Sequence, residues 1–226
     1  PTRTQLEEVL AKMEGGARAV AVPSGMAAVT LLLSRLRPRA RLVAPHDGYG
    51  GTHRLMSALA EQQKLEVEFV DFGADEAEAA IRAFRPDMIW LETPSNPLLR
   101  ITDVARFAAV ARELGATSVV DNTFLTPVGQ RPLSLGADIV LHSTTKAING
   151  HSDVVAGAVV ARRPEDGDAL AWWANCIGLA QSPFDAFLTL RGMRTLHLRL
   201  AQMERSALHI AARLARSTEV SAVHYP

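Results

Sequence analysis

The chain has 226 residues with 24 basic and 24 acidic side chains, so no net field favours nucleic acid or an anionic membrane as partner. A single cysteine, Cys176, excludes an intrachain disulfide framework, and with seven histidines in no metal-ligand spacing a zinc site is not expected. Apolar residues make up 48% and aromatics 5%, which suits an Ala-, Leu- and Val-rich α/β interior, and no apolar run reaches the roughly 18 residues of a membrane span.

Thr4 to Glu14 sets Leu6, Val9, Leu10 and Met13 at helical spacing and is stopped by Gly15-Gly16. Val20 to Val22 reads as a strand, Pro23-Ser24-Gly25-Met26 as a turn, and Ala27 to Leu36 as a buried helix. Strands are expected at Leu42–Ala44, Val67–Val70, Met88–Leu91 and Ser118–Val120, alternating with helices at Leu55–Gln63, Glu76–Phe84 and Val104–Leu114. Ile139–Leu141 and Ala156–Val160 complete the strand set. Helices are then expected at Ala169–Ala174, Phe184–Leu190 and Met193–Leu214, with a strand opening new structure at Val220–Pro226. Short, fully apolar strands alternating with helices predict a mainly parallel sheet covered on both faces. The domain division expected is a large domain over 1–192, then a connecting helix and the start of a truncated second domain over 193–226. Pro1 is not an initiator, and the chain reads as an interior piece of a longer protein whose expected setting is the cytoplasm.

In such sheets ligands bind beyond the carboxyl ends of the strands. Ser24, Tyr49, Asn96, Asp121 and Lys146 each follow a different expected strand, and together they are better support for a site than any one motif. Ser143, Thr144 and Thr145 lead to Lys146, and short hydroxyls beside a lysine suit a phosphorylated carbonyl ligand: the hydroxyls donate to phosphate and the lysine condenses with the carbonyl. Pyridoxal phosphate (PLP) is held in that way. Asp121 closes an apolar run, and it is the residue type that keeps a pyridinium nitrogen protonated. Gly25 and Met26 at a strand-to-helix turn would add main-chain N–H groups to an anion site, though Ser24 there is equally a plain helix cap. Tyr49, flanked by Gly48 and Gly50, could stack on a ring or be an exposed turn residue. Asn96, in the proline-bounded loop Glu92 to Pro97, could meet a phenolate oxygen or simply belong to a rigid polar loop. No GxGxxG or GxxxxGK[ST] loop supports a nucleotide-binding alternative.

Assembled, these segments resemble the PLP-dependent transsulfuration enzymes, the Cys/Met metabolism family. The resemblance runs the length of the chain through LEEVLAKMEGG, PSGMAA, YGGT, ETPSNPLL, VVDNTFLTP, LHSTTKAINGHSD and SPFDAFLTLRGMRTL. APHDGYGGTHRL, INGHSDVVAG and LAWWANCIG are most similar to its bacterial γ-synthase branch. The resemblance implies a fold-type I, aspartate aminotransferase-like domain and a homotetramer of two tight dimers. It implies Lys146 as the cofactor-anchoring and catalytic lysine, Asp121 as partner of the pyridine nitrogen, and Tyr49 stacked on the ring with a weaker acid–base role. Gly25, Met26, Ser143 and Thr145 would bind phosphate, and Asn96 the ring hydroxyl. The implied reaction is γ-replacement on O-succinylhomoserine or O-acetylhomoserine by L-cysteine, giving L-cystathionine in methionine biosynthesis. γ-Lyase and sulfhydrylase chemistry, or a silent cofactor-binding module, are the alternatives. The family's Tyr-x-Arg phosphate clamp and its substrate-carboxylate arginine have no counterpart in these 226 residues, so a site made of this chain alone is expected to be incomplete.

Overall fold

The computed structural model describes residues 2–226. Its centre is one seven-stranded sheet of β1 (Arg18–Val22), β2 (Ala40–Pro45), β3 (Leu65–Val70), β4 (Met88–Glu92), β5 (Thr117–Asp121), β6 (Ile139–His142) and β7 (Gly157–Ala161). The spatial order is β1-β7-β6-β5-β4-β2-β3; β7 runs antiparallel to both neighbours and the other pairings are parallel, as the apolar strands predict. The helices are α1 (Thr2–Glu14), α2 (Gly25–Ser34), α3 (Gly50–Glu61), α4 (Ala77–Phe84), α5 (Val104–Leu114), α6 (Thr126–Gly129), α7 (Pro164–Cys176), α8 (Pro183–Met193) and α9 (Leu196–Leu214). Among the described residues no helix is long and apolar enough to cross a membrane.

Both faces of the sheet are buried, so alternate residues of each strand serve different cores. Val20, Val22, Leu42, Trp90, Val119, Ile139 and Leu141 pack on the side of α2 and α7. Their neighbours Val43, Ile89, Leu91 and Val120 meet Phe107 and Val110 of α5, while Val140, Ala158 and Val160 meet Leu6 and Leu10 of α1. The same alternation governs the polar residues that end the strands. Glu92 and Asp121, Cα partners in the β4–β5 register, continue the row of Trp90 and Val119. Asn122 and His142 continue the opposite row, towards α1.

There they meet Glu14, the last residue of α1, which is 1% exposed. Glu14 Oε1 lies 2.6 Å from His142 Nε2 and accepts from Asn122 Nδ2 at 3.0 Å. Asn122 also donates to the Gln130 carbonyl at 2.8 Å and accepts from Gln130 Nε2 at 3.2 Å. One carboxylate thus ties the ends of β5 and β6 to the helix beneath them.

Several boundaries differ from expectation. α3 starts at Gly50 rather than Leu55, because tertiary packing carries two helix-disfavouring glycines into its first turn. α7 starts at Pro164, a residue suited to the first helical position, followed by Glu165 and Asp166 on the positive end of the dipole. The helix expected from Met193 begins at Leu196, after a break that ends α8. α6 and a 3₁₀ turn at Pro132–Leu135 were not foreshadowed. The strand expected at Val220–Pro226 does not form: the segment is turn and irregular backbone, mostly exposed. A strand needs a paired edge, and no described strand lies beside it.

Replacing Glu14 by Ala strands His142 and Asn122 without their shared acceptor. Leaving a buried polar group without its partner costs about 1–3 kcal/mol, so urea unfolding of the protein carrying this chain should show a loss of that order. A change below about 1 kcal/mol, the worth of an exposed pair, would disprove the locking role.

Candidate active site

The loops leaving β1, β2, β4, β5 and β6 emerge on one edge of the sheet and enclose a cavity of about 690 Å³. Gly25, Met26, Tyr49, Asn96, Asp121, Ser143, Thr145 and Lys146 all line it, whereas Thr144, expected with its neighbours as a hydroxyl for phosphate, is buried and does not reach it.

The β1–α2 turn is built around contact with Ser143. Ser24 caps α2, its Oγ accepting from Ala27 N at 3.0 Å, which realises the plain-cap alternative without removing Ser24 from the cavity wall. The cap leaves the N–H groups of Gly25 and Met26 without intrahelical partners, as at any helix start. A Cβ at Gly25 would come 2.8 Å from Ser143 Cβ, so only glycine lets the two loops close to this spacing. Ser143 is held in turn by its N–H, which donates to Thr123 Oγ1 at 2.9 Å, and Thr123 N donates to Asp121 Oδ1 at 3.0 Å. A continuous chain of bonds therefore joins Asp121 through Thr123 to Ser143 beside the start of α2. Thr145 is engaged differently. Its hydroxyl donates to the Ala156 carbonyl and accepts from Ala156 N, both at 3.0 Å, so its one hydrogen is already committed.

Lys146 stands exposed at the cavity mouth and makes no salt bridge among the described residues. Tyr49 is 42% exposed, and its ring sits where a Cβ on Gly51 would come within 2.5 Å. Asp121 is buried, and burial pushes its carboxyl up from its ordinary value, against hydrogen bonds from Thr123 and the charge of His142. A protonated ring nitrogen beside that carboxyl would favour its charged form further.

The sequence reading passed over Glu92, Thr123 and Met203. Glu92 is buried at the end of β4 and accepts from Tyr49 N and Asn96 N, each at 2.8 Å. Burial first, and then the neighbouring Asp121, push its carboxyl up to about 7. It was detectable by the signal that marked Asp121, a carboxylate closing an apolar strand. Thr123 follows Asp121 in an already suspected turn, but its bond to Ser143 has no local signature. Met203 comes from α9, far along the chain, and only the tertiary fold brings it to the wall.

The donor set suits a cofactor carrying an aldehyde, a ring nitrogen and a phosphate: a lysine at the mouth, a buried carboxyl, and open N–H groups with a hydroxyl at a helix start. Comparisons with known proteins agree. A family model described as Cys/Met metabolism PLP-dependent enzyme matches residues 1–226. Cystathionine γ-synthase of Escherichia coli is 49% identical over the whole chain, and cystathionine γ-lyase of Bacillus subtilis 43%. The chain covers 59% and 60% of those relatives, about three-fifths of their length. The crystal structure of cystathionine γ-synthase from Xanthomonas oryzae, in complex with aminoacrylate and cysteine, superposes with a TM-score of 0.94 at 52% identity, covering 96% of this chain and 57% of that one. The chain belongs to the Cys/Met metabolism family of PLP-dependent enzymes.

Proposed function

We propose that this member of the Cys/Met metabolism family forms the cofactor-binding half of an enzyme that joins L-cysteine to an activated homoserine ester, O-succinylhomoserine or O-acetylhomoserine, to give L-cystathionine. The observation that carries the reading is the convergence of Lys146, Asp121, Tyr49, Asn96, Gly25 and Ser143 from separate loops on one cavity, in a chain 49% identical to a cystathionine γ-synthase.

In this reading Lys146 would hold the cofactor aldehyde through Nζ, and Asp121 would keep a proton on the ring nitrogen. Tyr49 would stack on the ring, Asn96 would meet the ring hydroxyl, and the Gly25 and Met26 N–H groups would receive the phosphate together with Ser143. Thr145 could donate to phosphate only by giving up Ala156, so Ser143, whose hydroxyl makes no hydrogen bond among the described residues, is the better donor. When bound, PLP supplies an electron sink for charge developing at the substrate α-carbon. Lys146 Nζ would be the general base: it would take the Cα proton and then one from Cβ, the γ-ester would leave as its carboxylate, the cysteine thiolate would bond to Cγ in its place, and Lys146 would return the protons. Tyr49 is a weaker acid–base candidate.

The γ-lyase relative at 43% identity supports a second reading, cleavage of cystathionine at the same site. Assembly as a homotetramer is supported by exposed apolar side chains, Trp172, Phe184 and Phe187, which a further copy would cover. The division at 192 is supported by α9, whose buried residues are confined to Leu196 and Leu200. The absence of a membrane-crossing helix among the described residues is compatible with a cytoplasmic setting.

Lys146→Ala should abolish turnover, and borohydride reduction of the wild-type protein with PLP should place a pyridoxyl group on Lys146 by peptide mass mapping. A variant that keeps near-full activity would sink the mechanism. Gly25→Ala should weaken PLP binding by about tenfold or more, the effect of losing one or two charge-assisted hydrogen bonds, in a titration of the visible band. Unchanged affinity would move phosphate away from the α2 start. Assaying O-acylhomoserine plus cysteine against cystathionine alone would separate synthase from lyase, and cystathionine breakdown without synthesis would select the second reading.

A further inference from the structure

Glu92 is the buried titratable residue of the rim that the roles above leave unused. It is 5% exposed, lines the cavity, and its carboxylate oxygens are divided between two loops. Oε2 accepts from Tyr49 N and Oε1 from Asn96 N, each at 2.8 Å. Tyr49 immediately precedes α3, whereas Asn96 lies in the loop after β4, and no other side chain among the described residues bonds both. Their side chains line the same cavity, and Glu92 holds both residues directly, beside a second tie between the two loops in which Ser95 Oγ donates to Asp47 Oδ2 at 2.7 Å.

We propose that Glu92 is a positioning residue, one carboxylate that holds the main-chain N–H groups of Tyr49 and Asn96 and so sets where their side chains stand on the cavity wall. The inference rests on the reading that Tyr49 and Asn96 contact the cofactor. Its physical basis is acceptor count. An ionised carboxylate offers an acceptor on each oxygen, whereas the protonated acid turns one oxygen into a donor that opposes an N–H. The groups facing Glu92 are Asp121 at the end of β5 and Asp47 in the loop after β2, both acidic, and Lys146 and the Tyr49 hydroxyl line the same cavity. Burial and the two carboxylates hold the Glu92 carboxyl at about 7. The clamp is therefore complete above that pH and opens as pH falls through it.

The test uses Glu92→Gln and Glu92→Asp in the protein carrying this chain. PLP affinity is read from the visible band on either side of the value of about 7, with thermal unfolding measured in parallel. Wild-type affinity should fall as pH drops through that value. Glu92→Gln, which keeps one acceptor and turns an NH₂ on the other N–H, should bind PLP about tenfold more weakly or worse and lose the acid limb. Glu92→Asp keeps the charge but is one methylene short, so it too should bind weakly. A Glu92→Gln protein with wild-type affinity, or with the acid limb intact, overturns the proposal, as does full affinity in Glu92→Asp, where charge alone would suffice. Should Glu92→Gln fail to fold, Glu92→Asp decides. A purely structural loss would lower the unfolding temperature without moving the acid limb. Failure of the wild type to form a Lys146 adduct would overturn the cofactor reading itself.

Discussion

The alternation of side chains along a strand is the constraint on which the rest of this structure depends. Because both faces of the sheet are covered, each residue at the ends of β4, β5 and β6 has only two places to go. Glu92 and Asp121 turn to the face shared with α2 and line the cavity. Asn122 and His142, one residue on, turn to α1 and meet Glu14. A slip of one residue in the β5–β6 register would exchange the two sets, placing a carboxylate in the α1 core and an amide in the cavity. The buried Glu14 cluster therefore does more than bring three polar side chains together. It makes the wrong register costly, and so fixes which face of the rim carries the acid.

The electrostatics of the rim follow from that placement. Glu92 and Asp121 are register partners at the closed end of the cavity, and both carboxyls are pushed up by burial. At the other end lie the start of α2 and the Ser143 hydroxyl, which favour an anion. The cavity is polarised, with acids beneath and helix-start N–H groups at the side. A zwitterionic ring with a protonated nitrogen and an attached phosphate matches both ends at once, whereas a simple anion would satisfy one and aggravate the other.

Much of this was legible because the sheet is mainly parallel. Parallel strands buried on both faces read as short apolar runs, and each run ends where a polar residue reaches the rim, so Tyr49, Asn96, Asp121 and Lys146 could be placed from strand ends alone. Two kinds of feature were hidden. Helix starts misled where local chemistry opposed the fold: the glycines opening α3 argue against a helix that packing imposes. Contacts made across the fold left no trace in spacing, as with the Thr123 hydroxyl under Ser143 and Met203 reaching the wall from α9. Val220–Pro226 shows the converse error, since a β-prone composition without a partner edge does not make a strand.

The glycines at the rim let the backbones around the site approach closely. Gly25 lies against Ser143, and a side chain on Gly157, the first residue of β7, would overlap the Ser24 carbonyl. β7 is the antiparallel strand that returns between β1 and β6, so its first residue comes up beside the start of α2. Ala156, just before it, holds the Thr145 hydroxyl through both main-chain groups. The anion end of the cavity is thus squeezed from both sides by main chain, with no side chain long enough to spread it. Relatives named synthase and lyase match this chain along its whole length, so its likeness to them does not by itself choose between the two reactions.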